Sequence, residues 1–149
     1  MDLESELQQK KFENEKHKLV LNVMFTAGWL DCQAIRHLKP HGLSPQQYNV
    51  LRILRGQSGT AVSANLVASR MIDRSSNVSR LIEKLFQKSL VSREENTADR
   101  RAVCIAISQK GLNLLAKIDK DRTSLNNSTK QISDADAKVV NTILDKLRD

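Results

Sequence analysis

The sequence predicts one mainly α-helical domain with a small β-sheet of two or three strands. Its 149 residues are enough for a single domain with its own core. Hydrophobic residues make up 40% and charged residues 28% of the chain, a balance that is ordinary for a folded domain and argues against disorder. Apolar residues recur at helical spacing along most of the chain, whereas strict alternation is confined to residues 102–107.

A long amphipathic helix is expected from about residue 3 to residue 38, with a start that is open to fraying. The stretch contains no proline and one glycine. Its apolar residues at helical spacing are Leu19, Val20, Val23, Met24, Ala27, Leu30 and Ala34. Pro40 and Gly42 are expected to end the helix.

The second helix has the clearest predicted start in the chain. Ser44 is a good N-cap, Pro45 suits the first helical position, and Gln47 stands three residues after the cap. The helix should continue through Tyr48, Leu51 and Leu54 and end near Gly56.

Two short helices with a tight turn are predicted next, as in a helix-turn-helix. Ser63 is expected to cap the third helix, and residues 73–76 to start the fourth. One stripe of the fourth helix is apolar and should pack inward: Val78, Leu81, Ile82, Leu85 and Phe86. The opposite face is short, polar and basic, and it carries Ser76, Asn77, Arg80, Lys84 and Gln87.

The last third of the chain predicts two strands and two helices. The strands are expected at Leu90–Glu94 and Ala102–Ile107, joined by a polar loop that ends in two arginines. Ser108 should cap a fifth helix, and residues 133–136 should start a sixth. The Ser/Thr/Asn-rich stretch 124–130 suggests a bend or a break between them.

The positive charge of the chain is concentrated in its middle. The net charge is +7, and residues 39–111 hold 12 basic and 5 acidic residues. Residues 1–38 hold 5 and 6, and residues 112–149 hold 7 and 6. A middle segment that faces a polyanion would explain this distribution, and so would a solvated basic surface, because net charge alone also serves solubility.

Several function classes are disfavoured by the residues that the sequence lacks. Its five glycines form no phosphate-binding loop, and no nucleophile and base or carboxylate pair can be argued, so we expect no enzyme. Cys32 and Cys104 form neither a disulfide framework nor a zinc cluster, and His17, His37 and His41 have no second ligand set at metal spacing. No metal and no cofactor are expected. Without a long apolar run or a basic start, the chain should carry no signal peptide, contact no membrane and be cytoplasmic.

The predicted elements follow one another in the order of a winged helix-turn-helix. In the major groove Asn can pair with adenine and Arg with guanine, so Ser76, Asn77 and Arg80 are the expected base readers. A purely structural role at the helix start is the alternative for Asn77. At the hairpin tip, Asp99 can orient Arg101 for the narrow minor groove. The full candidate DNA-binding set is Arg74, Ser75, Ser76, Asn77, Ser79, Arg80, Lys84, Asp99, Arg100 and Arg101.

Four stretches of the sequence resemble the multiple-antibiotic-resistance regulator (MarR) family of bacterial transcription factors. They are residues 43–51 (LSPQQYNVL), 73–81 (DRSSNVSRL), 90–93 (LVSR) and 99–101 (DRR). The later residues 108–111 (SQKG) and the final amphipathic helix are similar as well, so the resemblance covers nearly the whole chain in order.

The resemblance implies one domain over residues 1–149, with a winged helix-turn-helix module at 39–111 and long dimerisation helices at 1–38 and 112–149. It implies an obligate homodimer that binds a pseudo-palindromic operator in double-stranded DNA. Such proteins usually repress transcription and are released by a small-molecule effector, whose pocket residues we do not predict. The apolar residues expected at the dimer contact are Leu19, Val23, Leu115, Ile118, Val140, Ile143, Leu144 and Leu147.

Two departures from the family pattern affect specific residues. Members commonly have glycine where this chain has Ser89, and a non-glycine residue in a left-handed cap costs about 1 kcal/mol. Cys32 lies only 13 residues before Pro45, roughly half the separation found in the hydroperoxide-sensing branch, so we do not carry that role over.

Two other functions compete with the operator-binding regulator. One is a winged-helix module for protein–protein contact without specific DNA binding, and the other is a thiol-based redox-sensing regulator. Cys104 is interpreted as a small packed residue, and Asp31 disfavours a reactive thiolate at Cys32. Phe25 and Trp29 are expected in the core or at a dimer contact in preference to a ligand pocket.

Overall fold

The computed structural model describes residues 2–95, 103–121 and 128–149. Its elements in chain order are α1 (Leu3–Leu7), α2 (Glu15–Leu38), a 3-10 turn (Lys39–His41), α3 (Pro45–Arg55), β1 (Val62–Ser63), α4 (Ala64–Arg70), α5 (Val78–Gln87), β2 (Val91–Glu95), β3 (Val103–Ile107), α6 (Gln109–Lys120) and α7 (Asp134–Lys146). The predicted fold class is confirmed, because helices dominate and the small sheet has three strands.

The N-terminal segment forms two helices, so the predicted helix is interrupted over residues 8–14, where fraying at its start was the expectation. Gln8 closes α1 in a left-handed conformation with φ of 51°. The side chain of Asn14 then accepts a hydrogen bond from the backbone N–H of His17 and starts α2. An ion pair between Lys18 and Glu4 holds α1 against α2. Periodicity alone missed the break because polar residues between the two helices fit a helical pattern equally well.

Helix α3 begins as the sequence predicts. The hydroxyl of Ser44 accepts from the backbone N–H of Gln47, the side chain of Gln47 accepts from the backbone N–H of Ser44, and Pro45 is the first helical residue. The helix ends at Arg55, next to the predicted Gly56. Because every partner lies within three residues, the local sequence is sufficient to set this boundary.

The helix-turn-helix consists of α4, a turn and α5. Ser63 caps α4 as predicted, accepting from the backbone N–H of Leu66. Residues 73–76, by contrast, lie in the turn and do not start α5, since Asn77 is the N-cap and Val78 the first helical residue. The predicted start of this helix is therefore early, and the carboxylate of Asp73 bonds within the turn.

The sheet is antiparallel in the order β1-β3-β2. Val62 pairs with Ile105 at one edge, and Val91 pairs with Ile107 at the other. Strand β3 is thus central, and Ile105, Ala106 and Ile107 are all buried. Both faces of this strand are buried, so the alternation in its sequence does not distinguish a solvent-exposed face from a buried face.

The junction between α5 and β2 contains Ser89 with φ of 58°. The backbone N–H of Ser89 donates to Phe86 at 2.8 Å and that of Leu90 donates to Leu85 at 3.0 Å, which is a Schellman ending with a buried Leu90. The chain therefore keeps a left-handed cap although it has serine where glycine is favoured.

Helices α6 and α7 begin at the predicted caps Ser108 and Ser133. A Cβ atom on Gly111, in the first turn of α6, would lie 2.4 Å from the carbonyl oxygen of Leu90, so only glycine lets α6 approach β2 this closely. No residue of α7 is buried. Within the described residues, no helix combines the length and apolarity that crossing a membrane requires.

The hydrophobic core lies between α3, α4, α5, the sheet and α6. Its fully buried large side chains are Leu51, Leu54, Leu85, Leu115, Ile118, Val50 and Val67. Asp119 of α6 ties that helix to α3, accepting hydrogen bonds from Arg52 at 3.1 Å and from Arg55 at 2.6 Å. The core cluster joins residues of α5 and of the sheet to those of α3 and α6.

Candidate nucleic-acid interface

The turn before α5 is held by the carboxylate of Asp73. The hydroxyl of Ser75 donates to Asp73 Oδ1 at 2.6 Å, and the hydroxyl of Ser76 donates to Asp73 Oδ2 at 3.0 Å. The backbone N–H of Ser75 also donates to Oδ1, at 2.9 Å. These bonds, led by that of the Ser75 hydroxyl, lower the pKa of Asp73 below its usual 3.8. The turn therefore contains an ionised carboxylate whose two oxygens are both engaged.

Arg74 and Asn77 have defined partners in the free protein. The guanidinium of Arg74 donates to the carbonyl oxygen of Ser69 at 2.5 Å. Asn77 Oδ1 accepts from the backbone N–H of Arg80 at 3.0 Å and thereby caps α5. A bidentate pair with adenine needs the same oxygen, so the geometry favours the structural alternative for Asn77.

The outer face of α5 is polar and exposed. Ser79, Arg80 and Lys84 all lie on this face. Val78, Ile82 and Leu85 occupy the opposite side of the helix and are buried, as the stripe predicts. Ser76 and Asn77, which were assigned to the helix face, lie in the turn and at the cap instead. The helix therefore presents a short basic surface, and the turn extends it at the N-terminal end.

Phe86 departs from the predicted stripe, because 42% of it is exposed. The guanidinium of Arg93 on β2 lies 4.4 Å from the centre of its ring and also pairs with Glu83. The hydrogen bond from Arg93 lowers the pKa of Glu83 below its usual 4.5. Arg93 thus fastens the sheet to α5 by covering Phe86 and neutralising Glu83.

The predicted hairpin tip lies outside the described residues. Asp99, Arg100 and Arg101 belong to the undescribed residues 96–102. Strands β2 and β3 on either side of that gap pair in register from Val91 with Ile107 to Glu95 with Val103. The roles assigned to the three tip residues stay predictions.

A cavity of about 620 Å³ lies between α2, α3 and the turn before α5. Its lining is mainly apolar and includes Ala27, Leu30, Ala34, Leu38, Pro45, Met71 and Ile72. Its polar lining residues are Asp31, His37, Gln46, Tyr48, Asn49, Arg52 and Asp73. Because Asp73 belongs both to this wall and to the turn, the cavity adjoins the start of α5 directly.

The residues expected at a dimer contact fall into two groups. Leu19, Val140, Ile143 and Leu147 are exposed, and Val23 and Leu144 are half-buried. Leu115 and Ile118 are buried in the core of the single chain at 0% and 1% exposure. Their assignment to a dimer contact is therefore corrected, because both belong to a core cluster that includes α3 and sheet residues of the same chain.

The cysteines and the aromatic residues Phe25 and Trp29 lie at separate places in the described structure. Cys32 is exposed on α2, and Cys104 is half-buried on β3. No group of three or more His, Cys, Asp and Glu in the described ranges could hold a metal ion. Phe25 and Trp29 line a small hollow of about 210 Å³ against α1, outside the larger cavity.

Sequence reasoning missed Asp73 and Arg93. An Asp followed two residues later by Ser is a local turn signal, so Asp73 could have been found from the sequence. Arg93 pairs with a residue ten positions away on another element, and no periodicity reports such a contact.

Known proteins are similar in sequence to the central module and similar in fold to the chain. Residues 43–103 match the model of the MarR family. The HTH-type transcriptional regulator MhqR of Bacillus subtilis is 28% identical over 89 residues, 60% of this chain and 60% of the relative. The HTH-type transcriptional repressor MdtR of the same organism is 30% identical over 79 residues, 53% of this chain and 50% of the relative. The chain thus spans about half the length of the curated relatives that it matches.

A solved structure extends the likeness to nearly the whole chain. The organohalide-sensing regulator RdhR-CbdbA1625, in a form bound to 2,4-dichlorophenol, superposes with a TM-score of 0.79 at 19% identity. The match covers 94% of this chain and 85% of that one. At this identity the likeness concerns the fold, with α2 and α7 included. Residues 43–103 therefore resemble the MarR family of transcriptional regulators in sequence, and the chain shares the fold of solved MarR-type structures.

Proposed function

We propose that this chain is a homodimeric, sequence-specific regulator that binds double-stranded DNA through α5 and the hairpin. The observation that carries the proposal is that α5 has one buried apolar side and one exposed basic side. Its inner side is fixed in the core, while Ser79, Arg80 and Lys84 are exposed on its outer side. An α-helix fits the major groove of B-DNA, and a rigid support keeps its side chains in register with base edges.

The electrostatics of the surface support a polyanionic partner. The module that contains α5 carries the whole net charge of the chain, +7 over residues 39–111. The two carboxylates beside the outer face, Asp73 and Glu83, are engaged by serine hydroxyls and by Arg93. The exposed cations Arg80 and Lys84 are therefore opposed by no open carboxylate of the turn, which favours contact with phosphates.

The terminal helices support a twofold dimer. Exposed apolar residues on α2 and α7 include Leu19, Val20, Met24, Val139, Val140, Ile143 and Leu147. A second copy would remove this surface from water, and a twofold axis would set two α5 helices on a pseudo-palindromic operator. This arrangement makes DNA affinity depend on dimer formation.

The cavity supports release by a small molecule. Its volume of about 620 Å³ is within the range of ligand sites, and its mainly apolar wall suits a flat, largely apolar compound. RdhR-CbdbA1625, which shares the fold, has been solved with 2,4-dichlorophenol. We therefore propose an aromatic effector that shifts the dimer between a DNA-fitting and a non-fitting conformation, and repression as the basal activity.

The deciding experiment is fluorescence anisotropy of the purified chain on the duplex upstream of its own gene, with excess unrelated duplex, across a salt series. Nanomolar binding that resists the competitor, weakens steeply with salt and takes two protomers per site is expected. Weak binding that is equal on both duplexes and insensitive to salt would contradict the proposal and favour a protein–protein module.

The hairpin tip has its own test. Replacing Arg101 with Ala is expected to weaken operator binding by more than tenfold, because a guanidinium in the narrow minor groove would be lost. An affinity equal to that of the unmodified chain would remove the tip from the interface while leaving the role of α5 intact.

A further inference from the structure

The turn before α5 fixes the direction in which two serine hydroxyls donate their hydrogen bonds. Each oxygen of the Asp73 carboxylate faces one hydroxyl, Ser75 at 2.6 Å and Ser76 at 3.0 Å. Ser75 is exposed and Ser76 is half-buried, and both lie in the turn next to the exposed face of α5. When DNA binds, each hydroxyl group would therefore already donate a hydrogen bond to Asp73.

A carboxylate decides how these hydroxyls are oriented. An ionised carboxylate only accepts hydrogen bonds, so each serine must use its single proton to donate to Asp73. The lowered pKa of Asp73 keeps it ionised at neutral pH. Each hydroxyl oxygen is left with lone pairs, so toward any further partner it can only accept.

We propose that Asp73 is a specificity-determining positioning residue, which makes Ser75 and Ser76 hydrogen-bond acceptors toward DNA. In the major groove the donors are the amino groups of adenine and cytosine, whereas guanine and thymine present acceptors there. Phosphate oxygens are acceptors too. The two hydroxyls thus select adenine or cytosine at the bases they face and add nothing to phosphate binding. This inference rests on the proposed DNA-binding function.

The turn is anchored independently of the serine hydroxyls. The backbone N–H of Ile72 donates to Asn49 Oδ1 on α3 at 2.9 Å, and Asn77 caps α5 at the other end. Arg74 reaches back to the carbonyl oxygen of Ser69 on α4. Because these bonds hold both ends of the turn, an acceptor oxygen of Asp73 can be replaced by a donor without unfolding the helix-turn-helix.

The test is Asp73→Asn, a change that keeps the shape of the side chain and replaces one acceptor oxygen with an NH₂ donor. The serine hydroxyl that faces the NH₂ group then accepts, and its own proton becomes free to donate toward DNA. The preferred duplexes of each variant are selected from a library randomised around the operator. We expect the unmodified chain to prefer adenine or cytosine at one or more positions per half-site. The variant should lose that preference by at least threefold, with guanine or thymine gaining.

The control is the double variant Ser75→Ala/Ser76→Ala, which removes both hydroxyls. It should lose the same preference while its salt dependence stays unchanged, because the hydroxyls do not contact phosphates. Adding Asp73→Asn to this background should leave its base profile unaltered. Thermal melting monitors folding of every variant, and the double variant gives a reading that does not depend on the stability of Asp73→Asn.

Three results would overturn the inference. One is an identical base profile for Asp73→Asn and the unmodified chain, and another is a shift in that profile that persists without the two hydroxyls. The third is a double variant that keeps the adenine or cytosine preference. Absence of any selected operator for the unmodified chain would instead defeat the proposed function itself, and the inference with it.

Discussion

The central module and the terminal helices place the same kinds of apolar residue in opposite environments. In the module, the side chains of Leu51, Leu54 and Leu85 are 0–1% exposed and belong to one hydrophobic cluster. In α7, Val140 and Ile143 are 50% and 44% exposed. Helix α2 is 24 residues long and buries only Leu38. The module is stabilised by its own chain, whereas the terminal helices present a face that needs a second surface.

The difference teaches which properties should depend on protein concentration. A core closed within one chain is lost in a unimolecular transition, so its contribution is the same at any concentration. A face covered by a second copy contributes by mass action. Substitutions in the two regions should therefore differ in kind as well as in size.

The largest effect is expected from opening the core of the module. Leu51→Ala removes a fully buried side chain from α3 and should cost roughly 2–5 kcal/mol of unfolding free energy, because the cavity that remains cannot be filled. Urea denaturation at two protein concentrations measures this cost and should give the same value at both. The matched change at the C-cap of α7, Leu147→Ala at a side chain 45% exposed, should cost less and depend on concentration. Equal, concentration-independent losses would contradict the comparison.

A charge in the exposed apolar face should separate the protomers. Ile143→Asp places a carboxylate where a second copy would cover α7, and the desolvation penalty should give a monomer in sedimentation analysis. Losing the second module should lower operator affinity about a hundredfold, since linked binding sites typically gain 10² or more. Asn141→Asp, at an exposed polar position of the same helix, is the control and should stay dimeric. A dimeric Ile143→Asp chain would place the interface elsewhere.

A smaller effect is expected at the basic face of α5. Arg80→Ala should weaken operator binding about tenfold. If Arg80 contacts guanine, base discrimination at one position should relax, and if it contacts a phosphate, the salt dependence should become shallower by about one unit. Lys138→Ala removes the same charge from the exposed surface of α7 and should change neither quantity. Similar losses for both variants would reduce the role of α5 to net charge alone.

The smallest effect concerns the backbone between α5 and β2. Ser89 has φ of 58°, and relieving that strain with Ser89→Gly should stabilise the module by up to about 1 kcal/mol. Thermal melting should show a small rise in Tm. Ser79→Gly, the same change in the first turn of α5, should act in the opposite direction because glycine is a poorer helix former than serine. A lower Tm for Ser89→Gly would mean that the extra freedom of the unfolded chain outweighs the strain.

Four helix starts and most of the apolar stripe of α5 were predictable because they depend on near neighbours. Ser44, Ser63, Ser108 and Ser133 all cap helices through bonds to residues within three positions. The same rule places the start of α5 too early, at residues 73–76. There the side chain of Asp73 accepts a hydrogen bond within the turn, and Asn77 is the N-cap of the helix. Competing polar side chains therefore limited the accuracy of the α5 boundary.

The candidate site was predictable in its elements and less so in its individual residues. The exposed placement of Arg80 and Lys84 follows from the phase of the helix, once Val78, Ile82 and Leu85 are inside. The bonds of Asp73 with Ser75 and Ser76 decide whether two candidate DNA-binding hydroxyls donate or accept, and that property appears only when side-chain geometry is known. The residue types identified the surface, and their mutual bonds refine what it can recognise.

By itself the sequence determined the fold class, the caps, the family resemblance and the charge of the central module, since these depend on composition and on contacts a few residues apart. Only the tertiary structure decided that Leu115 and Ile118 belong to the core, that β3 is the central strand, and that Arg93 joins β2 to α5. It also joined Arg52 to Asp119, 67 positions away. An apolar or charged residue shows in the sequence that it needs a partner, but the partner's identity depends on how distant elements pack.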